Sequence, residues 1–98
     1  MDKNRVGPND NIFEALGFKK EEAANLKIRA KLMAELTRYI RDEGLSLRKA
    51  GEVFDIAHPR VNDLLQGNID KFTIDYLVNM MTKIGKEVSV NIKQRKAA

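Results

Sequence analysis

Apolar positions along the chain repeat with a helical period over most of its length and with a two-residue period once, near the end. From Glu21 to Asp42 no glycine or proline intervenes, and Leu26, Met33, Leu36 and Ile40 recur at spacings of three, four and seven, with Ala23, Ala30 and Ala34 alongside. The pattern predicts one long amphipathic helix, with Glu21 and Glu22 at its positive end and Gly44 as its stop. Before it, "NIFEALGF" is a short apolar turn built on Ile12, Phe13, Leu16 and Phe18 and closed by Gly17. Residues 1–11 are polar, contain Gly7 and Pro8, and are expected to form a flexible arm.

Shorter helices follow. Ser46 is placed to cap a helix over "LRKAGEVF", whose Leu47, Ala50, Val53 and Phe54 share the buried side. Asp55-Ile56-Ala57 is long enough only for a tight turn. Pro59 then falls in the first turn of the next helix, where its missing N–H costs nothing. Val61, Leu64 and Leu65 form that helix's apolar stripe and Gly67 ends it. "NIDKF" reads as a loop. Thr73 can cap a further helix carrying Ile74, Leu77, Val78, Met81 and Ile84, closed by Gly85.

The last pattern differs in kind. In "EVSVNIK", over 87–93, Val88, Val90 and Ile92 alternate with Ser89, Asn91 and Lys93, the period of a half-buried strand. A lone strand has no ladder partner, so the expectation is pairing with the same strand of a second copy in a two-fold dimer. Fraying of this segment, or pairing with the N-terminal arm, are the alternatives. The basic end, 94–98, is expected to be a disordered tail. The predicted fold is therefore mainly α: a bundle of four to five helices with one C-terminal β-strand, in a single domain over 12–93.

Composition narrows the function. The chain has 98 residues, 43% hydrophobic and 33% charged, which suits one small domain with a modest core. No apolar run is long enough for a membrane span and the N-terminus lacks a secretory pattern, so a soluble cytoplasmic protein is expected. With no cysteine and one histidine, the residues supply no zinc set, and "KIGK" lacks the glycine-rich loop of a phosphate cradle. No serine or threonine has a nearby histidine to activate it. Neither catalysis nor a cofactor is expected. The net charge of +4 permits an anionic partner, but residues 46–66 carry three basic and three acidic groups, so charge alone marks no site.

Geometry marks one. A helix, a three-residue turn and a second helix, packed on a longer first helix, make a helix-turn-helix over 46–67. Gly51 is small where the two helices would approach, Asp55 stands at the turn, and Ile56, Val61 and Leu64 pin the second helix. His58, Arg60, Asn62, Asp63 and Gln66 are then left toward solvent, with donors and acceptors suited to base edges in a major groove. An ordinary polar helix face is the competing reading.

The segment "SLRKAGEVFDIAHPRVNDLLQGNIDKFTIDYLVNMMTKIGKEVSV", with "NIFEALGF" and "EEAANLKIRAKLMAEL" upstream, resembles the Xre/HigA-type helix-turn-helix family. The likeness covers about 10–93, and in particular the chain resembles the small antitoxin branch found beside HigB-like, phage-derived toxins. It implies a lambda-repressor-like fold and a homodimeric DNA-binding repressor that neutralises a toxin by direct contact. By the same resemblance, His58, Arg60, Asn62 and Asp63 match the base-reading positions, and Ser46 and Lys49 match positions near the phosphate backbone. Arg48, Pro59, Gln66 and Asn68 join these as candidates for phosphate contact and positioning. Where family members often carry Thr-Gln and Ser-Gln, this chain has Ser46-Leu47 and Ala57-His58. The expected partners are double-stranded DNA with a pseudo-palindromic operator, a toxin held by residues 10–40, and a second copy joined through Val88, Val90 and Ile92. A stand-alone phage-type regulator, or an interaction domain without DNA binding, are the alternative functions.

Overall fold

The computed structural model describes residues 11–94. The arm expected over 1–11 lies outside the described residues except for Asn11, and the tail over 94–98 except for Gln94.

Asn11 is a working part of the fold. Its side-chain oxygen accepts from the Phe13 N–H at 2.9 Å and caps α1, Ile12–Ala15, while its amide nitrogen donates to the Ala23 carbonyl at 2.8 Å. The short helix is thereby tied to α2, Lys20–Asp42, which is the long helix the spacing predicts. α2 buries Ala23, Leu26, Leu32, Met33, Leu36 and Ile40. Leu32, absent from the predicted stripe, is covered because α2 is central: α5 packs along one side of it and α1 and α4 along others.

α3, Leu47–Phe54, begins at the Ser46 cap, whose hydroxyl oxygen accepts from the Lys49 N–H at 3.1 Å. α4 runs His58–Leu65 with Pro59 in its first turn, as the sequence predicts. α5, Ile74–Lys83, starts at Thr73, which accepts from the Tyr76 N–H at 3.3 Å. The Thr73 hydroxyl also bonds Asp75 and, with nearby backbone N–H groups, holds that carboxyl below its ordinary range. The core is closed by Phe54, Val61, Leu64, Phe72, Leu77, Met80 and Met81.

Two expectations need correction, and a third is not met within one chain. Leu47 was expected in the core but is 42% exposed, because it opens α3 beyond the packed side formed by Ala50, Gly51 and Phe54. "NIDKF" is more than a loop: Ile69–Lys71 form a 3-10 turn, and Phe72 after it is fully buried. The strand over 87–93 is not formed, and no strand occurs among the described residues. Val88 packs against the core, but Val90 and Ile92 are 81% and 90% exposed. A strand exists only through a ladder partner, and none lies beside this segment among the described residues.

Candidate nucleic-acid interface

The joint between α3 and α4 rests on Gly51, Asp55 and Lys83. A Cβ on Gly51 would stand 2.8 Å from the Ile56 carbonyl oxygen and 3.2 Å from Cδ2 of His58, so only glycine permits this approach. Asp55 ends α3 in the left-handed region (φ 56°, ψ 51°) and is the only non-glycine residue with positive φ among the described residues. The Ile56 N–H then reaches back to the Gly51 carbonyl at 2.9 Å. From α5, the Lys83 ammonium donates to the Phe54 carbonyl at 2.9 Å and lies 3.9 Å from the Asp55 carboxylate. A cation at the C-terminal end of α3 complements the helix dipole.

This joint sets the front of α4. Val61 and Leu64 are buried and fix the rotation of the helix. His58 and Asn62 are exposed, one helical turn apart, and share a face. His58 keeps its ring against Gly51, which sets where it can point. Pro59 and Gln66 are exposed at the two ends.

Arg60 and Asp63 do not stand free toward solvent as the sequence reading had them; their side chains are 32% and 25% exposed. The Arg60 guanidinium carbon lies 4.6 Å from the Phe72 ring centroid and 4.9 Å from that of Tyr76, and one of its nitrogens is 4.0 Å from Asp63. The other Asp63 oxygen accepts from the Asn68 amide at 3.0 Å, and the same amide lies 3.4 Å from Gln66 Oε1. Asn68 therefore braces the end of α4.

On α3, Ser46 is spent as a cap, while Arg48 and Lys49 lie 3.9 and 3.7 Å from Glu52. Both cations are well exposed, and such surface pairs contribute about 0–1 kcal/mol. Either side chain can leave Glu52 for a phosphate at little cost.

Residues outside the two helices of the joint complete the site. Arg29 of α2 donates to the carbonyls of Ile69 and Phe72 at 3.0 and 3.2 Å, with its Nε held by Asn25 at 2.6 Å. It pins the turn on which Arg60 rests. Phe72 and Tyr76 supply the aromatic corner. The signal that could have found them is the pairing of two aromatics four residues apart across a helix start, "FTIDY".

A family model described as "Helix-turn-helix domain" matches residues 13–93. The chain belongs to this helix-turn-helix domain family. A search of the curated proteins gives no match. Among solved structures, one provisionally described as an XRE family transcriptional regulator superposes with a TM-score of 0.71 at 21% identity, over 79% of this chain and 90% of its own. At that identity the likeness concerns the fold.

The helix-turn-helix domain carries a second surface, away from the front of α4. A groove of about 580 Å³ runs between α1, α2 and the end of α4, with Phe13, Ala30, Met33, Ala34, Leu65 and Ile69 along its walls. Arg38 and Arg41 stand at its edge. Beside α1, Ile12, Leu16 and Phe18 expose apolar surface, as Ile28 does on α2. No helix among the described residues is long and apolar enough to cross a membrane.

Proposed function

We propose that this helix-turn-helix domain is a sequence-specific DNA-binding transcriptional repressor. The observation that carries the reading is the front of α4, where His58 and Asn62 share an exposed face held in place by the Gly51–Ile56 joint and the Asp55 turn. His58 and Asn62 contact base edges. Arg48 and Lys49, with the Ser46 end of α3, approach the phosphates on one side of the groove, and Gln66 does so on the other, with Asn68 bracing it. A selection from random duplexes, followed by binding measurements at two salt concentrations, tests this. Enrichment of a pseudo-palindrome with half-sites ~10 bp apart, and affinity that falls steeply with salt, are expected. Failure to enrich any duplex sinks the reading.

The palindrome presupposes a dimer. Val90 and Ile92, exposed on a segment outside the helices and alternating with polar residues, are suited to pair with the same segment of a second copy. Sedimentation of the full chain across a concentration series measures this directly.

The apolar surface of α1 and the adjoining groove favour one further role, the binding of a partner protein by residues 10–40. With the likeness to small antitoxins, the partner is a toxin that the domain neutralises. Co-expression with the product of the neighbouring reading frame tests it. Rescue of growth that is lost on changing Leu16 and Phe18 to serine supports the role, and rescue that survives this change removes the surface from consideration.

A further inference from the structure

We infer that Arg60 is a positioning residue, fastening α4 to the turn at 69–71 and to α5, and that its guanidinium reads no base. The inference rests on the DNA-binding reading and deepens it by dividing the front of α4 into side chains that read and side chains that hold.

Helical geometry makes the first division. His58 and Asn62 are one turn apart and share a face, whereas position 60 is two residues from each, about 200° around the helix. The side of α4 that carries Arg60 therefore turns away from the side that carries His58 and Asn62. Its surroundings make the second. The rings of Phe72 and Tyr76 lie 5.7 Å apart and are tilted by 56°, so they form a corner, and the guanidinium carbon sits within 5 Å of both centroids. A cation over two ring faces gains from both quadrupoles, and more where water is partly excluded. Asp63, one turn along, supplies the negative partner and is itself held by Asn68.

The corner does not drift. Phe72 is fully buried, and its carbonyl and that of Ile69 are held by Arg29 from α2. Tyr76 stands in the first turn of α5, where its backbone N–H is taken by the Thr73 cap. Arg60 thus connects the reading helix to two elements anchored on the core. An arginine that reads guanine must extend two parallel N–H groups into the groove, and here that would require leaving both rings and Asp63.

The test compares the full chain with Arg60→Gln, Arg60→Lys, Tyr76→Leu and the Arg60→Gln/Tyr76→Leu double variant. Two properties are measured: binding to duplexes enriched by the wild type, with single-base variants of each, and amide exchange across residues 58–66 in the free protein. Arg60→Gln and Tyr76→Leu should each weaken binding on the order of tenfold while keeping the preference at every base pair. The double variant should be no worse than the worse single, because both remove one contact. Arg60→Lys keeps the charge but loses the flat guanidinium, and should behave like Arg60→Gln. All of them should exchange faster over 58–66.

Loss of preference at a single base pair in Arg60→Gln, with Tyr76→Leu binding as wild type, overturns the inference. So does wild-type binding by Arg60→Lys, which would make the charge sufficient. If the wild type enriches no duplex, the DNA-binding reading fails separately. The fastening role is then decided by exchange alone, unchanged rates in Arg60→Gln removing it and faster rates supporting it.

Discussion

Gly51 and Ile56 meet backbone to backbone: a methyl group on Gly51 would stand 2.8 Å from the Ile56 carbonyl oxygen, on the chain that carries α3 into α4. The oxygen belongs to a turn held at both ends and cannot rotate away as a side-chain tip would. Gly51→Ala gains about 1 kcal/mol of helix propensity but incurs overpacking of about 1–3 kcal/mol. We expect a net loss of stability in urea unfolding. DNA binding should weaken as well, since the same shift moves the His58 ring. Wild-type stability in this variant would mean that the turn gives way more readily than its hydrogen bonds suggest.

Asp55 occupies the left-handed region that glycine adopts without strain. An ordinary L-residue is disfavoured there by roughly 1–2 kcal/mol, less for aspartate. Its pairing with Lys83 is long and the carboxylate is almost fully exposed, so little is lost with it. Asp55→Gly should therefore be neutral to stabilising, by up to about 1 kcal/mol, as read from the melting temperature. Asp55→Val should be clearly destabilising, because a β-branched side chain tolerates positive φ worst.

Lys83 closes the same joint from α5. Lys83→Met keeps most of the side chain's bulk and removes the donor to the Phe54 carbonyl. The bond is charge-assisted but partly exposed, so a loss of about 1 kcal/mol is expected. Amide exchange should quicken at Asp55 and Ile56 more than in the middle of α2, and a uniform increase would contradict a local role.

Arg29 reaches from α2 to two carbonyls, of which that of Ile69 also accepts from the Phe72 N–H at 3.4 Å. Arg29→Ala leaves the Ile69 and Phe72 oxygens without this partner and should cost about 1–2 kcal/mol. Because the Phe72 ring forms one wall against Arg60, the variant should also release Arg60. Altered side-chain resonances of Tyr76 and Arg60 would report that release.

Val90 and Ile92 are where association would act. Val90→Pro removes a backbone N–H and cannot join a central ladder. It should lower the dimer fraction at a given concentration and leave thermal unfolding of the monomer within about 0.5 kcal/mol, since the side chain is 81% exposed. Sedimentation velocity distinguishes the two effects.

The helices were legible because each carries its own local signals. Gly44, Gly67 and Gly85 mark ends, Ser46 and Thr73 mark starts, and the apolar spacing of three and four marks the buried sides. Pro59 was readable as an opening residue for the same reason: its constraint on φ is local. The strand was not settled by its pattern, since alternation says which side chains could be buried and pairing requires a partner.

At the interface, the local pattern separated the pins Val61 and Leu64 from the polar positions between them. It could not tell His58 and Asn62, which stay exposed, from Arg60 and Asp63, which fold back. That distinction depends on Phe72 and Tyr76, which follow α4 across a turn, and on Arg29, forty residues before Ile69. Helical periodicity, caps and turn residues act over a few positions and were determined by the sequence alone. What a polar side chain does on the surface of α4 depends on which distant ring or carboxylate is brought beside it. Only the packing of α2, α4 and α5 around the 69–71 turn decided that.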